Sequence, residues 1–276
     1  MKDEFWFSVF NSACLFVSQF EDVVDHLRYV YEYLAIENKV SPDYVFEFNK
    51  IDSFFVIILN ERELFRGKDF IESVLMAEFL VFQVPIKNNS EQIVYHAAWA
   101  SIGQKAIILI GESNSGKSAL VFELVQSGCM FGSDEWTAFD CSHKKILGFP
   151  RKILLKNRNP LITRYGLSKS DRNLLSDFDS RIYSGLPADS AVAEAAGFDP
   201  VFIFLKYVPE KKGVDMAGLS IFSVIEQLIS ACVNRENFNQ KRFENLIGCI
   251  DISNAFTLEY SSLEDAKNNI LETVKR

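Results

Sequence analysis

The sequence predicts an α/β protein in two parts: a core of mixed strands with flanking helices over residues 91–276, preceded by a smaller α+β domain over residues 1–90. Three observations predict it. The apolar run "AIILI" passes through a glycine-rich turn into "SALVFELV", so a strand leads directly into a helix. Further strand-like runs lie on either side, "IVYHAAWASI" before and "VFIFLKY" (201–207) after. The first 90 residues mix strand and helix patterns of their own. A chain of 276 residues, 48% apolar and 24% charged, has the length to bury a sizeable core and the balance of a soluble globular protein.

In chain order, "MKDEFWFSVFNSACLFVSQFED" reads as an N-terminal strand; Asp3 and Glu4 spoil the basic start of a signal peptide, and polar residues interrupt the apolar run. "FFVIILN" (54–60) is a strand, "NERE" a turn, and "DFIESVLMAEFLVFQV" (69–84) an amphipathic helix ending before Pro85. "PIKNNSEQ" is polar and turn-rich, the expected linker.

In the core, two strands join around Gly103, Gln104 and Lys105. A helix runs from Lys117 to about Gln126, stopped by Gly128, and "CMFGS" is a short strand. "EWTAFD" and "ILGFPRKILLK" alternate like antiparallel strands about the turn "CSHKK". After Lys156 the chain reads as loop until "VFIFLKY"; a helix from about Ser220 to Asn234, the strand "FTLEY" and a helix from about Leu263 complete it.

A net charge of −8 without any dense Lys/Arg run excludes the basic face that nucleic acid requires. No uninterrupted apolar run reaches membrane-spanning length, so no membrane partner is expected. Cys14, Cys129, Cys141, Cys232 and Cys249 are scattered without a CxxC pair, which fits structural thiols in a reducing cytoplasm.

The chemistry lies in the turn. Gly111, Glu112, Ser113, Asn114, Ser115, Gly116, Lys117 and Ser118 fit G-x-x-x-x-G-K-[ST], with Ala119 following. Glycines there let backbone N–H groups curl around a phosphate at a helix N-terminus, Lys117 reaches the β- and γ-phosphates, and Ser118 ligates Mg²⁺. The implied ligands are ATP and Mg²⁺. A second nucleotide-like string, Asn49-Lys50-Ile51-Asp52, precedes the P-loop, whereas a guanine-reading motif follows it, so it reads as surface loop.

Asp134 and Glu135 end the next strand, where a metal partner or catalytic base is expected on a strand beside that of the P-loop. Adjacent residues of an extended chain point to opposite sides, so the two acids do not share one task. The bland alternative is a pair of solvated acids capping a strand. His96 taken alone reads as a hydrogen-bonded core histidine.

Together, "HAAWASIGQKAIILIGESNSGKSALVFELVQSGCMFGSDEWTAF" and "GFPRKILLK" resemble the catalytic core of the HPr kinase/phosphorylase family and its HPr-kinase-like relatives, which share a P-loop fold with phosphoenolpyruvate carboxykinase. His96 stands 22 residues before Ser118 and the acidic pair begins 16 after it, the family's spacings. The resemblance covers roughly residues 94–157. It implies Asp134 as general base, Glu135 near the metal, His96 tuning or orienting the acids, and Arg151 and Lys156 positioning phosphate or substrate; either cation reads equally as a solvated charge. Two departures stand out: Ala119 replaces an acid after the P-loop serine and Glu135 replaces a second Asp; the missing acid weighs against one metal contact and with it against pyrophosphate-dependent and phosphorylase chemistry. The glycine-rich signature of HPr-specific enzymes is also missing.

The resemblance implies a Mg·ATP-dependent kinase acting on a hydroxyl, the serine of a protein or of a ribosomally made precursor peptide, with residues 1–90 suited to substrate recognition. The alternative is a P-loop ATPase or switch with no acceptor. A binding-only relative is disfavoured by the retained Gly116, Lys117, Ser118 and Asp134. The oligomeric state stays open, a homo-oligomer included.

Overall fold

The computed structural model describes residues 2–37, 41–156, 159–170, 173–175, 181–186, 190–192, 194–197, 199–237, 239–249 and 254–275. The chain is a mixed α/β protein that divides into two compact units, residues 1–88 with 154–185, and residues 89–153 with 186–276. Residues 154–185 thus cluster with the N-terminal unit and interrupt the span 91–276.

In the first unit, strands β1 (Asp3–Val9), β2 (Ser12–Ser18), β3 (Tyr44–Ile51), β4 (Phe54–Leu59) and β5 (Arg62–Gly67) form one sheet in chain order. Helix α1 (Glu21–Val30) lies in the crossover that makes β2 and β3 parallel; the other neighbours are antiparallel. Phe5, Phe7, Cys14, Phe16, Phe46 and Phe48 alternate with less buried residues, the pattern of a sheet covered on one face. The N-terminal stretch is therefore two strands, folded back at Phe10 and Asn11, whose φ values of 43° and 73° suit a tight hairpin. Asn60 and Glu61 turn β4 into β5 in the same way. The Asn49–Asp52 string is the end of β3 and its turn rather than a free loop.

Helix α2 (Phe70–Asn88) starts at Asp69, whose Oδ1 accepts from Glu72 N at 2.8 Å, and runs through Pro85 instead of stopping before it. Proline near the helix end removes one backbone bond. Phe82, Pro85 and Ile86 form a single buried stripe that offsets the loss.

The second unit is built on β6 (Ile93–Ile102), β7 (Lys105–Ile110), helix α3 (Lys117–Gln126), β8 (Met130–Ser133), β9 (Trp136–Asp140) and β10 (Lys145–Leu147). Gly148 to Pro150 break the run "ILGFPRKILLK", so β11 (Ile153–Lys156) does not continue β10. It pairs instead with β12 (Arg181–Ser184), beyond helix α4 (Pro160–Arg164), giving structure to part of a stretch read as loop. Residues 157, 158, 171, 172, 176–180, 187–189, 193 and 198 of that stretch lie outside the described residues. Then come β13 (Glu194–Ala196), β14 (Asp199–Tyr207), β15 (Asp215–Gly218), helix α5 (Ile221–Ala231), helix α6 (Gln240–Cys249), β16 (Ala255–Tyr260) and helix α7 (Leu263–Val274). The helix read to Asn234 ends earlier because Cys232 is extended and bridges Tyr95.

The large sheet runs β13-β10-β9-β6-β7-β14-β16-β15, with β8 paired to β6. β6, β7 and β14 are buried nearly end to end, as strands covered on both faces are. Helix α3 closes with Cys129 N donating to Leu124 O and Gly128 N to Val125 O, a Schellman motif that needs Gly128 at its φ of 95°. Cys14, Cys129 and Cys232 are buried free thiols, and burial pushes those of Cys129 and Cys232 up to about 11, too high for ready reaction. Among the described residues no helix is long and apolar enough to cross a membrane.

Candidate active site

The P-loop leaves β7 at Gly111 and enters α3 at Lys117, so the strand, turn and helix are contiguous. Gly116 has a φ of 89°, and α3 begins there with no side-chain cap. Its first N–H groups therefore point into the loop without a side-chain acceptor, an anion-binding arrangement. Ser115 N donates to Glu112 O at 3.1 Å, which closes the turn, and Lys117 Nζ donates to Gly111 O at 2.6 Å and Glu112 O at 3.1 Å. Tyr260, at the end of β16, donates its hydroxyl to Ser115 O at 2.6 Å. A Cβ at Gly116 would lie 2.2 Å from that hydroxyl and one at Gly111 2.5 Å from Ser115 Oγ, so both glycines are required by space. The Ser115 hydroxyl is itself buried with no hydrogen-bond partner among the described residues.

Asp134 and Glu135 occupy the two-residue turn between β8 and β9, where Ser133 Oγ accepts from Glu135 N at 3.1 Å and Trp136 N at 2.9 Å. β8 pairs with β6, not with β7, so the acids stand one strand further from the loop's strand than the sequence suggests. The parallel neighbour of β7 is β14, which ends in Lys206 and Tyr207 and brings no carboxylate of its own to the end nearest the loop.

A bridge between Ser133 and Phe149 carries Arg151 to the acids. Arg151 Nε donates to Asp134 Oδ1 at 3.0 Å, and Nη2 reaches Glu135 Oε2 at 2.5 Å. The Asp134 side chain is fully buried and that of Glu135 is 31% exposed. Close approach of the segments depends on two glycines: a Cβ at Gly148 would lie 2.4 Å from Gly132 O, and one at Gly132 would enter the Trp99 ring at 1.9 Å.

His96 pairs with Trp136, and the next residue, Ala97, pairs with Ile110, the last residue of β7. This register sets half-buried His96 beside the start of the P-loop. Burial first, then the Lys117 charge, pushes His96 down to about 4 against the opposing pull of Asp134, so its imidazole is neutral at pH 7. Burial also lowers Lys117, opposed by Glu135 and then Asp134. Four of the expected groups, His96, Lys117, Asp134 and Arg151, thus share one electrostatic neighbourhood, with Glu135 at its solvent side. Lys156 ends β11 on the surface and belongs to the other unit.

A cleft of about 1030 Å³ opens over the loop, lined by His96, Gly111–Ser115, the end of β14, residues of β15 and β16, and the last turn of α5. Its volume stands at the upper end of the ~300–1,000 Å³ of ordinary ligand pockets, room for more than a triphosphate. Lys117, Ser118, Asp134, Glu135 and Arg151 do not line it, and the Asp134 carboxylate is buried against Arg151. The residues fit a nucleotide with Mg²⁺: an uncapped helix start, a lysine folded into the loop, an unpartnered Ser115 hydroxyl, and Ser118 half-buried in the first turn of α3. Tyr260, Gly132 and Gly148 support this site without any motif to mark them. Only the pairing of "GS" before the acids with "GF" before Arg151 hints at the glycine contact.

No family model matches the chain, and no curated protein does. Among solved structures it is similar to the Hpr(Ser) kinase/phosphatase from Coxiella burnetii, at 15% identity over 66% of this chain and 93% of that one, with a TM-score of 0.33. A likeness that loose carries no assignment of activity.

Proposed function

We propose that the protein is a Mg·ATP-dependent kinase that transfers the γ-phosphoryl group to a hydroxyl, the serine of a protein or of a ribosomally made precursor peptide, in the cytoplasm. One observation carries the reading: the loop from Gly111 to Ser118 combines an uncapped helix start, room only for glycine at 111 and 116, and a buried lysine that feels the charges of Glu135 and Asp134. Phosphoryl transfer needs mainly positioning and charge neutralisation, together with a base at the attacking hydroxyl. Bound Mg·ATP supplies the transferable group and the metal's positive charge. The backbone N–H groups at the start of α3 and Lys117 would hold the phosphates, and Ser118 and Glu135 would hold the metal. Asp134 takes the acceptor's proton once Arg151 releases its oxygens. Neutral His96 orients the acids without adding charge. Residues 1–90 suit recognition of the acceptor.

The buried Arg151–Asp134 pair favours a second reading, a P-loop ATPase or switch with no acceptor, because the base is engaged in this arrangement. Incubation with γ-labelled ATP and Mg²⁺, followed by mass spectrometry of HPr and of serine-ended peptides, separates the two. Label on an acceptor supports the kinase; label in water alone sinks it.

A further inference from the structure

The P-loop accounts for the phosphates of a nucleotide but leaves its base without a seat. Tyr207 is the last residue of β14 and lies in register with Tyr260 of β16. Phe204 pairs with Ile110, so Tyr207 extends past the end of β7 alongside the loop that follows it. Tyr207 is 47% exposed in a chain whose other sheet aromatics are mostly buried, and it lines the same cleft as Gly111–Ser115. Tyr260 meets it edge-on, with ring centroids 5.7 Å apart and planes at 68°. Tyr260 is itself fully buried and fixed to Ser115 O. One rigid residue therefore holds both the loop and the neighbouring ring, and the ring keeps an exposed surface toward the cleft.

A half-exposed aromatic is ordinary on a surface, but one that lines the cleft over the P-loop and is held by a buried ring offers a fixed π-face to a flat ligand there, and apolar rings gain by leaving water. Nucleobases satisfy this through stacking, which tolerates any base because every base has a π-face. We infer that Tyr207 is the platform on which the heterocyclic base of the donor nucleotide stacks. The inference rests on the nucleotide reading of the P-loop and extends it to the base.

The experiment measures binding of two probes with Mg²⁺ to the full chain, ATP and inorganic tripolyphosphate, which carries the phosphates without a base. Tyr207→Leu weakens ATP about fivefold to a hundredfold or more, the worth of one stacked base, and leaves tripolyphosphate binding essentially unchanged. Tyr207→Phe keeps ATP affinity, since the stacking surface remains. If Tyr207→Leu binds ATP like the wild type, the base sits elsewhere and the inference fails alone. Proportional loss of both probes also overturns it, because Tyr207 then acts on the loop through Tyr260. A wild-type chain that binds neither probe removes the nucleotide reading and this inference together.

Discussion

Gly116→Ala and Tyr260→Phe form a cycle whose outcome follows from one hydroxyl. Gly116 has a φ of 89°, and alanine held there costs about 1–3 kcal/mol in backbone strain. Its Cβ would also lie 2.2 Å from Tyr260 Oη, so the hydroxyl must leave Ser115 O, to which it donates at 2.6 Å. Orphaning that buried acceptor costs about another 1–3 kcal/mol. Tyr260→Phe alone loses the same bond and nothing else. In the double variant the nearest ring atom, Cζ, stands 3.4 Å from the Cβ; the clash is gone and the bond is lost only once. The summed single losses therefore exceed the double loss by one buried hydrogen bond, about 1–3 kcal/mol, well above the ~0.5 kcal/mol scatter of independent sites. The assay is urea unfolding by fluorescence in a Trp6→Phe background, so that Trp99 and Trp136 report the unit carrying the loop and two units are not read as one transition. Additivity within about 0.5 kcal/mol would refute the shared-hydroxyl account.

Asp134→Asn is expected to leave ATP binding nearly intact and reduce transfer by about 10²–10⁴, whereas Lys117→Ala weakens both; transfer by the asparagine variant at the wild-type rate removes the base assignment. Arg151→Leu should destabilise the unit by about 3–5 kcal/mol, because buried Asp134 loses the guanidinium paired with it, and adding Asp134→Leu should recover most of that loss in denaturant midpoints. His96 carries a pH signature: its folded value of about 4 lies below the ordinary ~6.5, so its stabilising contribution is complete above about pH 6.5 and is lost as pH falls toward 4. Discounted for a partly exposed ring, that amounts to ~1–2 kcal/mol, and His96→Gln should flatten the decline in stability by this amount; parallel pH profiles for the two chains would contradict it.

Elements punctuated by their own residues were legible in the sequence. The limits of β6, β7 and α3 follow from Gly103, Gly111 and Gly128. What escaped depends on partners distant in the chain. Pro85 reads as a stop, yet a buried stripe on α2 carries the helix past it. "ILGFPRKILLK" reads as one strand, but Gly148 is spent on contact with Gly132 and β11 finds its partner in β12. The P-loop was legible because its chemistry is local. Tyr260 was not, since nothing in "FTLEY" shows that its hydroxyl closes a loop 145 residues earlier. The register joining Ser133 to Phe149, and with it the hold of Arg151 on Asp134, is likewise set by the fold.

That hold bears on which acid serves the chemistry. An anion entering the P-loop competes with both carboxylates for the Arg151 guanidinium, and the two do not pay alike for release. Asp134 is wholly buried, so losing Nε removes the shorter of its two guanidinium contacts from a carboxylate that water does not reach, at a cost of several kcal/mol. Glu135 is 31% exposed, its freed carboxylate is rehydrated, and it bears more strongly than Asp134 on Lys117. The least costly motion swings Nη2 from Glu135, and from its long 3.5 Å contact with Asp134 Oδ2, toward the incoming anion while Nε stays on Asp134 Oδ1. Asp134 then becomes the base only if acceptor binding displaces Nε and replaces that contact with a hydrogen bond from the attacking hydroxyl; otherwise it anchors Arg151 and Glu135 meets the acceptor. Single-turnover transfer by Asp134→Asn and Glu135→Gln, in chains shown to bind ATP, decides between these. Loss confined to the asparagine variant upholds Asp134, and loss confined to the glutamine variant moves the base one residue along the chain.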